Sequence, residues 1–287
     1  MALEGAFHGE TLGATLLGGI DVFRRAFAGL VGDCLRVPVE DRGHERVFDV
    51  LAELVARHRD EIAALVLEPM VQGAAGMRVY DPALLRAARE IATRHDIFLV
   101  LDEVFTGYGR TGPMWAAEHA SVTPDLLCTA KGFTGGMLPM AATLANSRIF
   151  EGFLGEPSRA FLHGHTFTGN PLGARVALEV LAVYRDERVL ELARPKAERV
   201  GRRFARLAGL PGVLRSRSLG MVAALDLDGS GYHDPVGQRV YREALRLGAY
   251  LRPLGSTIYV APPLNIPDAD LDELCDIVEA SVKVALA

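Results

Sequence analysis

The sequence predicts an α/β protein: a mostly parallel sheet with helices on both faces, followed by a smaller α+β domain. Three observations carry that expectation. Short continuous apolar runs, the pattern of strands covered on both faces, recur at Ile62 to Leu67, Ile97 to Leu101 and Leu126 to Ala130. Helical patterns alternate with them, as in a parallel sheet joined by crossovers. The composition then changes after Asp186, where a helix rich in Arg and Glu begins. The chain has 287 residues, 49% of them hydrophobic, and single cores rarely grow past ~250 residues. The expected division is a large domain over 1–186 and a small one over 187–287.

The elements follow in order. Asp81-Pro82 opens a helix with Asp as N-cap and Pro at the first helical position. Its apolar stripe is Leu84, Leu85, Ala88, Ile91 and Ala92. Met140 to Ala145 adds a strand, and Asn170-Pro171 opens a long helix running toward Tyr184. After a helix over 187–208, Pro211-Gly212 turns the chain. A strand at Gly220 to Leu227, a helix over 235–247 and two short strands around Gly255 complete the pattern. The last helix carries Asp268, Asp270, Asp272 and Glu273 in its first turns, where they complement the helix dipole. Its buried stripe is Leu271, Leu274, Val278 and Val282.

Composition excludes several classes. The net charge of -5 is well mixed, and no Lys/Arg cluster suggests nucleic acid. Cys34, Cys128 and Cys275 have no metal-ligand spacing and are too few for a disulfide framework. The N-terminus lacks the pattern of a secretory signal, and charge breaks every apolar run well short of the ~20 residues that span a bilayer. No G-x-G-x-x-G follows a predicted strand, which argues against a dinucleotide site. The expectation is a cytoplasmic protein with no nucleic-acid or membrane partner and no metal.

Two residues suggest chemistry. Asp102 follows one buried strand and Lys131 follows another, 29 positions on, about the ~30 residues of one βαβ unit. Both are thus expected at carboxyl ends of parallel strands, where open α/β sheets bind ligands. The Lys could simply pair with a buried carboxylate, which is costly to leave alone. Alternatively, Lys131 forms a Schiff base with pyridoxal 5'-phosphate while Asp102 keeps the pyridine nitrogen protonated. Such a lysine needs desolvation to weaken its charged form.

Asp102 begins DEVFTGYGRTG, and Lys131 sits in DLLCTAKGFTGGMLPM. These stretches resemble the cofactor signature of the class III aminotransferases. The resemblance implies the fold of the fold-type I pyridoxal-phosphate transferases. It makes Lys131 the cofactor-bearing lysine, Asp102 the partner of the ring nitrogen, and Val104 the cover of one ring face. AFHGETLGA resembles the family's aromatic-His-Gly motif, here Phe7, His8 and Gly9, with the Phe7 ring stacked on the other face; taken alone, Phe7 reads as core. HGHTFTGNPLGA resembles the segment in which a Thr hydroxyl, here Thr166, reaches the cofactor phosphate of the neighbouring subunit. That implies a homodimer with shared sites. By itself such a Thr reads as a local cap, and His163 and His165 read as structural or as supports behind the residues that touch the cofactor.

EPMVQGAAGM places Glu68 and Gln72 in the loop beneath the ring, though a capped strand end before a Gly-rich turn would look the same. Arg110 reads equally as a structural Arg tying its loop to a carboxylate. Within the class, VQGAAGM, HGHTFTGNPL and LRPLGSTIYVAPPL resemble the biotin-pathway branch. In that branch the Arg before Pro, here Arg252, binds a substrate carboxylate. An isolated Arg on a strand edge is ordinarily only solvated. Phe105 stands where the ornithine and 4-aminobutyrate branches place Gln. The implied reaction moves an amino group from a small-molecule donor to the keto acceptor 7-keto-8-aminopelargonic acid. The alternatives are another class III ω-amino aminotransferase and an inactive fragment or half of a split enzyme. Family members carry a further N-terminal region with substrate-pocket aromatics and a phosphate loop. The expectation is therefore a truncated chain that lacks part of the site on its own.

Overall fold

The computed structural model describes residues 1–30, 32–39, 44–229 and 231–287. The chain divides into two compact units. The first comprises 1–70, 80–108 and 115–187; the second comprises 71–79, 109–114 and 188–287.

The first unit is built on a six-stranded sheet. Its strands are β1 (Ala2–Leu3), β2 (Arg36–Val37), β3 (Ala64–Leu67), β4 (Phe98–Asp102), β5 (Leu126–Thr129) and β6 (Ala142–Ala145). Their order is β2-β1-β3-β4-β5-β6. All neighbours pair in parallel except β5 and β6, which are antiparallel. The α/β, mostly parallel expectation holds. Leu65, Leu67, Leu99 and Leu101 form a buried row. They share a core with Val47, Leu51 and Val55 of helix His44–His58 and with Leu84, Leu85, Ala88, Ile91 and Ala92 of helix Pro82–Arg94. That second helix starts where its sequence says it should: the Asp81 carboxylate accepts the Ala83 N–H at 2.7 Å. The opposite row, Phe98 and Val100, is half-buried, so these strands alternate rather than being buried on both faces. An Arg148 guanidinium lies 5.0 Å from the Phe98 ring centroid.

Asp125 pins the strand register. Its Oδ2 accepts the Leu99 N–H and an Arg89 Nη1–H, both at 2.8 Å, and its Oδ1 accepts the Asn146 amide at 2.8 Å. With β4, β5 and β6 held from one end, Asp102 falls opposite Cys128 at the other. The connection between β4 and β5 is a long loop containing only the short 3-10 turn Ala116–Ala120 among the described elements, so the expected crossover α-helix is absent there.

The second unit has α+β character. Strands Val213–Leu219, Val222–Leu227 and Thr257–Val260 form an antiparallel sheet with 222–227 in the centre. Helices Val189–Leu207, Pro235–Arg246 and Asp268–Leu286 bury Val200, Phe204, Val240, Ala244, Leu271, Val278 and Val282. The sequence pattern missed strand 213–219, because an edge strand reading VLRSRSL shows no apolar alternation. Of the two strands expected around Gly255, only Thr257–Val260 forms. Pro253 has no N–H to donate and Gly255 turns at φ +62°, so the first half makes a single bridge at Leu254. No helix among the described residues is long and apolar enough to cross a membrane.

Candidate active site

Three loops converge at the carboxyl ends of β1, β3 and β4, and a fourth follows β5. Parallel neighbours direct all these ends to one edge of the sheet, which is why residues far apart in sequence meet there. Asp102 is the last residue of β4 and is nearly buried. Its Oδ2 lies 2.8 Å from His8 Nδ1, and its Oδ1 accepts the Val104 N–H at 3.1 Å. A carboxylate has about four acceptor positions, so capacity remains for a further donor. The His8 side chain is buried, and its Nε2 meets no hydrogen-bonding partner among the described residues. The tautomer with its proton on Nδ1 therefore suits the pair, since it donates to Asp102 and leaves no buried N–H unmatched. Sequence reasoning placed His8 in the site but did not find this pair, because nothing local signals a partner 94 positions away.

Phe7 is anchored by its backbone: its N–H donates to Glu68 Oε1 at 3.0 Å. Its ring packs on Phe23 with centroids 5.0 Å apart. Gly9 turns the loop at φ +118°, a region a side chain resists. Glu68 is buried, and its backbone carbonyl accepts the Tyr80 hydroxyl. Glu103, beside Asp102, has no exposed surface. Its carboxylate accepts the Thr106 hydroxyl at 2.6 Å and the Ala116 and Ala117 N–H groups at 3.1 and 2.9 Å. Burial pushes the Glu103 carboxyl above its ordinary range; the Thr106 hydroxyl and the two amides oppose that, and the Asp102 charge adds to it. Burial, then the Glu68 charge, drives the Tyr80 phenol well above its usual value.

Lys131 stands two residues beyond β5 in a short turn, at the left-handed φ of +41°. It is exposed, so the expected desolvation is not provided by the residues around it in this chain. Its Nζ lies 5.5 Å from the Phe105 ring centroid. Gly132 follows under the Tyr108 ring, where an added Cβ would come within 2.8 Å of Tyr108 Cδ2. Tyr108 is itself held by an edge contact with Trp115 at 5.0 Å and by the Tyr184 hydroxyl, which donates to its carbonyl at 2.9 Å. Val104 is half-buried on the turn after Asp102.

The remaining expected residues have surroundings of their own. Thr166 is exposed on a turn. His163 and His165 bond locally, to the Thr168 hydroxyl at 3.0 Å and the Phe167 N–H at 3.2 Å, in keeping with structural roles. Arg252 is exposed in the second unit, where it lowers the phenol pKa values of Tyr232 and Tyr259 against the larger upward push of burial. Gln72 accepts from Arg78 at 3.1 Å within the hairpin of the second unit. Arg110 donates to the Pro262 carbonyl at 2.6 Å.

Residues 1–282 match the profile of aminotransferase class III. The chain belongs to this family. Among curated class III relatives, it is 40% identical to the adenosylmethionine-8-amino-7-oxononanoate aminotransferase of Nitratidesulfovibrio vulgaris, over 98% of this chain and 56% of that protein. The crystal structure of the enzyme of that name from Methanocaldococcus jannaschii superimposes with a TM-score of 0.93 at 32% identity, covering 99% of this chain and 67% of that one. An amine transaminase from an uncultivated Pseudomonas species, solved with pyridoxal phosphate bound, gives a TM-score of 0.92 at 31% identity, covering 99% and 69%. The chain thus spans little more than half to about two thirds of these relatives' lengths.

Proposed function

We propose that this chain carries the pyridoxal 5'-phosphate centre of a transaminase that aminates 7-keto-8-aminopelargonic acid in biotin synthesis. The observation that carries the proposal is the placement of an exposed Lys131 and a His8-backed Asp102 at the ends of adjacent parallel strands. The residues fit the group: an amine for its aldehyde, and a nearly buried carboxylate with an acceptor position to spare for its ring nitrogen. When bound, pyridoxal phosphate supplies an electron sink beside the amine-bearing carbon.

Lys131 would hold the cofactor at its aldehyde carbon and, as a free amine, would move a proton at the substrate carbon as general base and acid. Asp102 holds the proton at the ring nitrogen, and His8 orients the carboxylate. Phe7 and Val104 would hold the ring from its two faces, with Gly9 letting the Phe7 loop turn. Arg252 binds a substrate carboxylate. Residues 1–186 form the cofactor-binding domain and 187–287 the small domain of a cytoplasmic homodimer. In that dimer Thr166 serves the partner copy's phosphate. Leu162, Phe167 and Leu172 flank Thr166 and are strongly exposed, an apolar surface of the kind that association covers.

The test is amination of 8-amino-7-oxononanoate with S-adenosylmethionine or lysine as donor. Amination of simple amine-transaminase acceptors instead would favour the second reading, another class III ω-amino aminotransferase, which the likeness to the Pseudomonas amine transaminase supports.

A further inference from the structure

We propose that Tyr108 is a positioning residue for Lys131: its ring, seated on Gly132, holds the turn after β5 tight and keeps the Lys131 backbone left-handed, which sets where the amine starts from. That geometry matters because of the role given to Lys131 above, on which the functional half of the proposal rests. The turn is unusual in its sequence. The Phe133 N–H donates to the Ala130 carbonyl at 2.9 Å, so Lys131 and Gly132 are its two central residues. The φ angle is +41° at Lys131 and is not positive at Gly132. A positive φ at the first central residue alone is the type II′ pattern, which ordinarily takes glycine there. Here a lysine stands at the glycine position, and the glycine stands where a side chain is normally tolerated.

Tyr108 accounts for both. A Cβ on Gly132 would lie 2.8 Å from Tyr108 Cδ2 and 2.9 Å from its Cβ and Cγ, so only glycine lets the ring lie against this backbone. The ring is itself fixed. It is buried, edge-on to Trp115 with centroids 5.0 Å apart, and stacked on Phe133 at 6.3 Å. The Tyr108 backbone, at φ +55°, is tied by the Tyr184 hydroxyl, which donates to its carbonyl at 2.9 Å. Thr129, two residues before Lys131, lies near enough to the Tyr108 phenol for its hydroxyl to oppose part of the rise that burial causes in the phenol pKa. Tyr108 thus meets the chain both before Lys131 and after it. A left-handed residue other than glycine persists only where its surroundings impose that conformation. With Lys131 so held, its Nζ lies 5.5 Å from the centroid of Phe105, on the loop that follows Asp102.

Two measurements test this, the first without any cofactor. Lys131→Gly and Lys131→Ala are compared by urea unfolding. A left-handed backbone disfavours a residue with a Cβ about fivefold to thirtyfold, so beside Tyr108 the Gly variant has the larger folding equilibrium constant by about that factor. In a Tyr108→Leu background the turn relaxes and the advantage disappears, glycine being the poorer residue in ordinary backbone; Tyr108→Phe keeps it. No Gly advantage beside Tyr108, or one that survives Tyr108→Leu undiminished, overturns the proposal. Should Tyr108→Leu fail to fold by circular dichroism, Tyr108→Met supplies the non-aromatic arm. The second measurement is borohydride trapping of pyridoxal phosphate on Lys131, with Lys196 and Lys283, the other two lysines of the chain, as references. Tyr108→Leu slows it by about the same fivefold to thirtyfold, because the poised backbone is populated that much less, and Tyr108→Phe restores it. Parent-rate trapping in Tyr108→Leu also overturns the proposal. A Gly advantage that tracks Tyr108 in a chain whose Lys131 takes no pyridoxyl group leaves the Tyr108 assignment standing and removes the transaminase reading.

Discussion

Asp102→Asn is the most informative single change, because the structure says which hydrogen bond must fail. Oδ2 faces His8 Nδ1 at 2.8 Å and Oδ1 accepts the Val104 N–H at 3.1 Å. An amide offers one acceptor and one donor where the carboxylate offered two acceptors. If the amide oxygen stays with Val104, the NH2 faces Nδ1, and the imidazole must move its proton to Nε2. That nitrogen is buried with no partner among the described residues. If the amide turns over, its NH2 faces the Val104 N–H. Either orientation leaves a donor unmatched, at about 1–3 kcal/mol, which lowers the folding equilibrium constant roughly 5- to 150-fold. Urea unfolding of the two proteins measures the loss, and nitrogen-15 spectra of the His8 ring report the tautomer. Unchanged stability, within about 0.5 kcal/mol, together with a proton retained on Nδ1 would refute the reasoning. On the proposed function, the same variant loses most transamination, because an amide cannot hold a proton at the ring nitrogen as a carboxylate does.

Three further outcomes are expected. Reduction with borohydride in the presence of pyridoxal phosphate leaves the pyridoxyl group on Lys131; peptide mapping that finds it on Lys196 or Lys283 removes the cofactor assignment. Gly132→Ala brings a Cβ to 2.8 Å from Tyr108 Cδ2 with two more Tyr108 carbons at 2.9 Å, so it destabilises by about 1–3 kcal/mol; a urea midpoint equal to the parent's would contradict that packing. Burial alone would raise the Asp226 carboxyl, but Arg217, Thr257 and Arg215 together bring it below its ordinary value. Its folded pKa is thus depressed, so its stabilisation is complete above the unfolded value of about 3.9 and is lost as pH falls through the lower folded value. Asp226→Asn therefore flattens the acid limb of a stability-versus-pH curve below about pH 4; an unchanged limb counts against the Arg217–Asp226 linkage.

Local signals in the sequence were dependable where one segment decides its own conformation. Asp81-Pro82 and Asn170-Pro171 both open helices, with Asp81 accepting from Ala83 and Asn170 from Leu172 at 3.0 Å. The apolar runs before Asp102 and Lys131 became neighbouring parallel strands. Signals failed where a partner decides. β1 and β2 are two residues each and have no pattern of their own; pairing with each other, and of β1 with β3, makes them strands. Strand 213–219 is polar enough to pass for a loop until 222–227 pairs with it.

The sequence by itself suggested the class of chemistry: an aspartate and a lysine at the ends of two apolar runs, in stretches that resemble class III aminotransferases. Residue type and local order suffice there, since an amine and a carboxylate are what that chemistry needs. Only the tertiary structure decided which groups act on those two. The His8 contact with Asp102, the Glu68 anchor of Phe7 and the Phe105 ring near Lys131 join different strand ends, two of them across 94 and 61 positions. The physical reason is the parallel sheet. It gathers the carboxyl ends of strands that are distant in the chain, and hydrogen bonds between such ends leave no periodicity in the sequence to read.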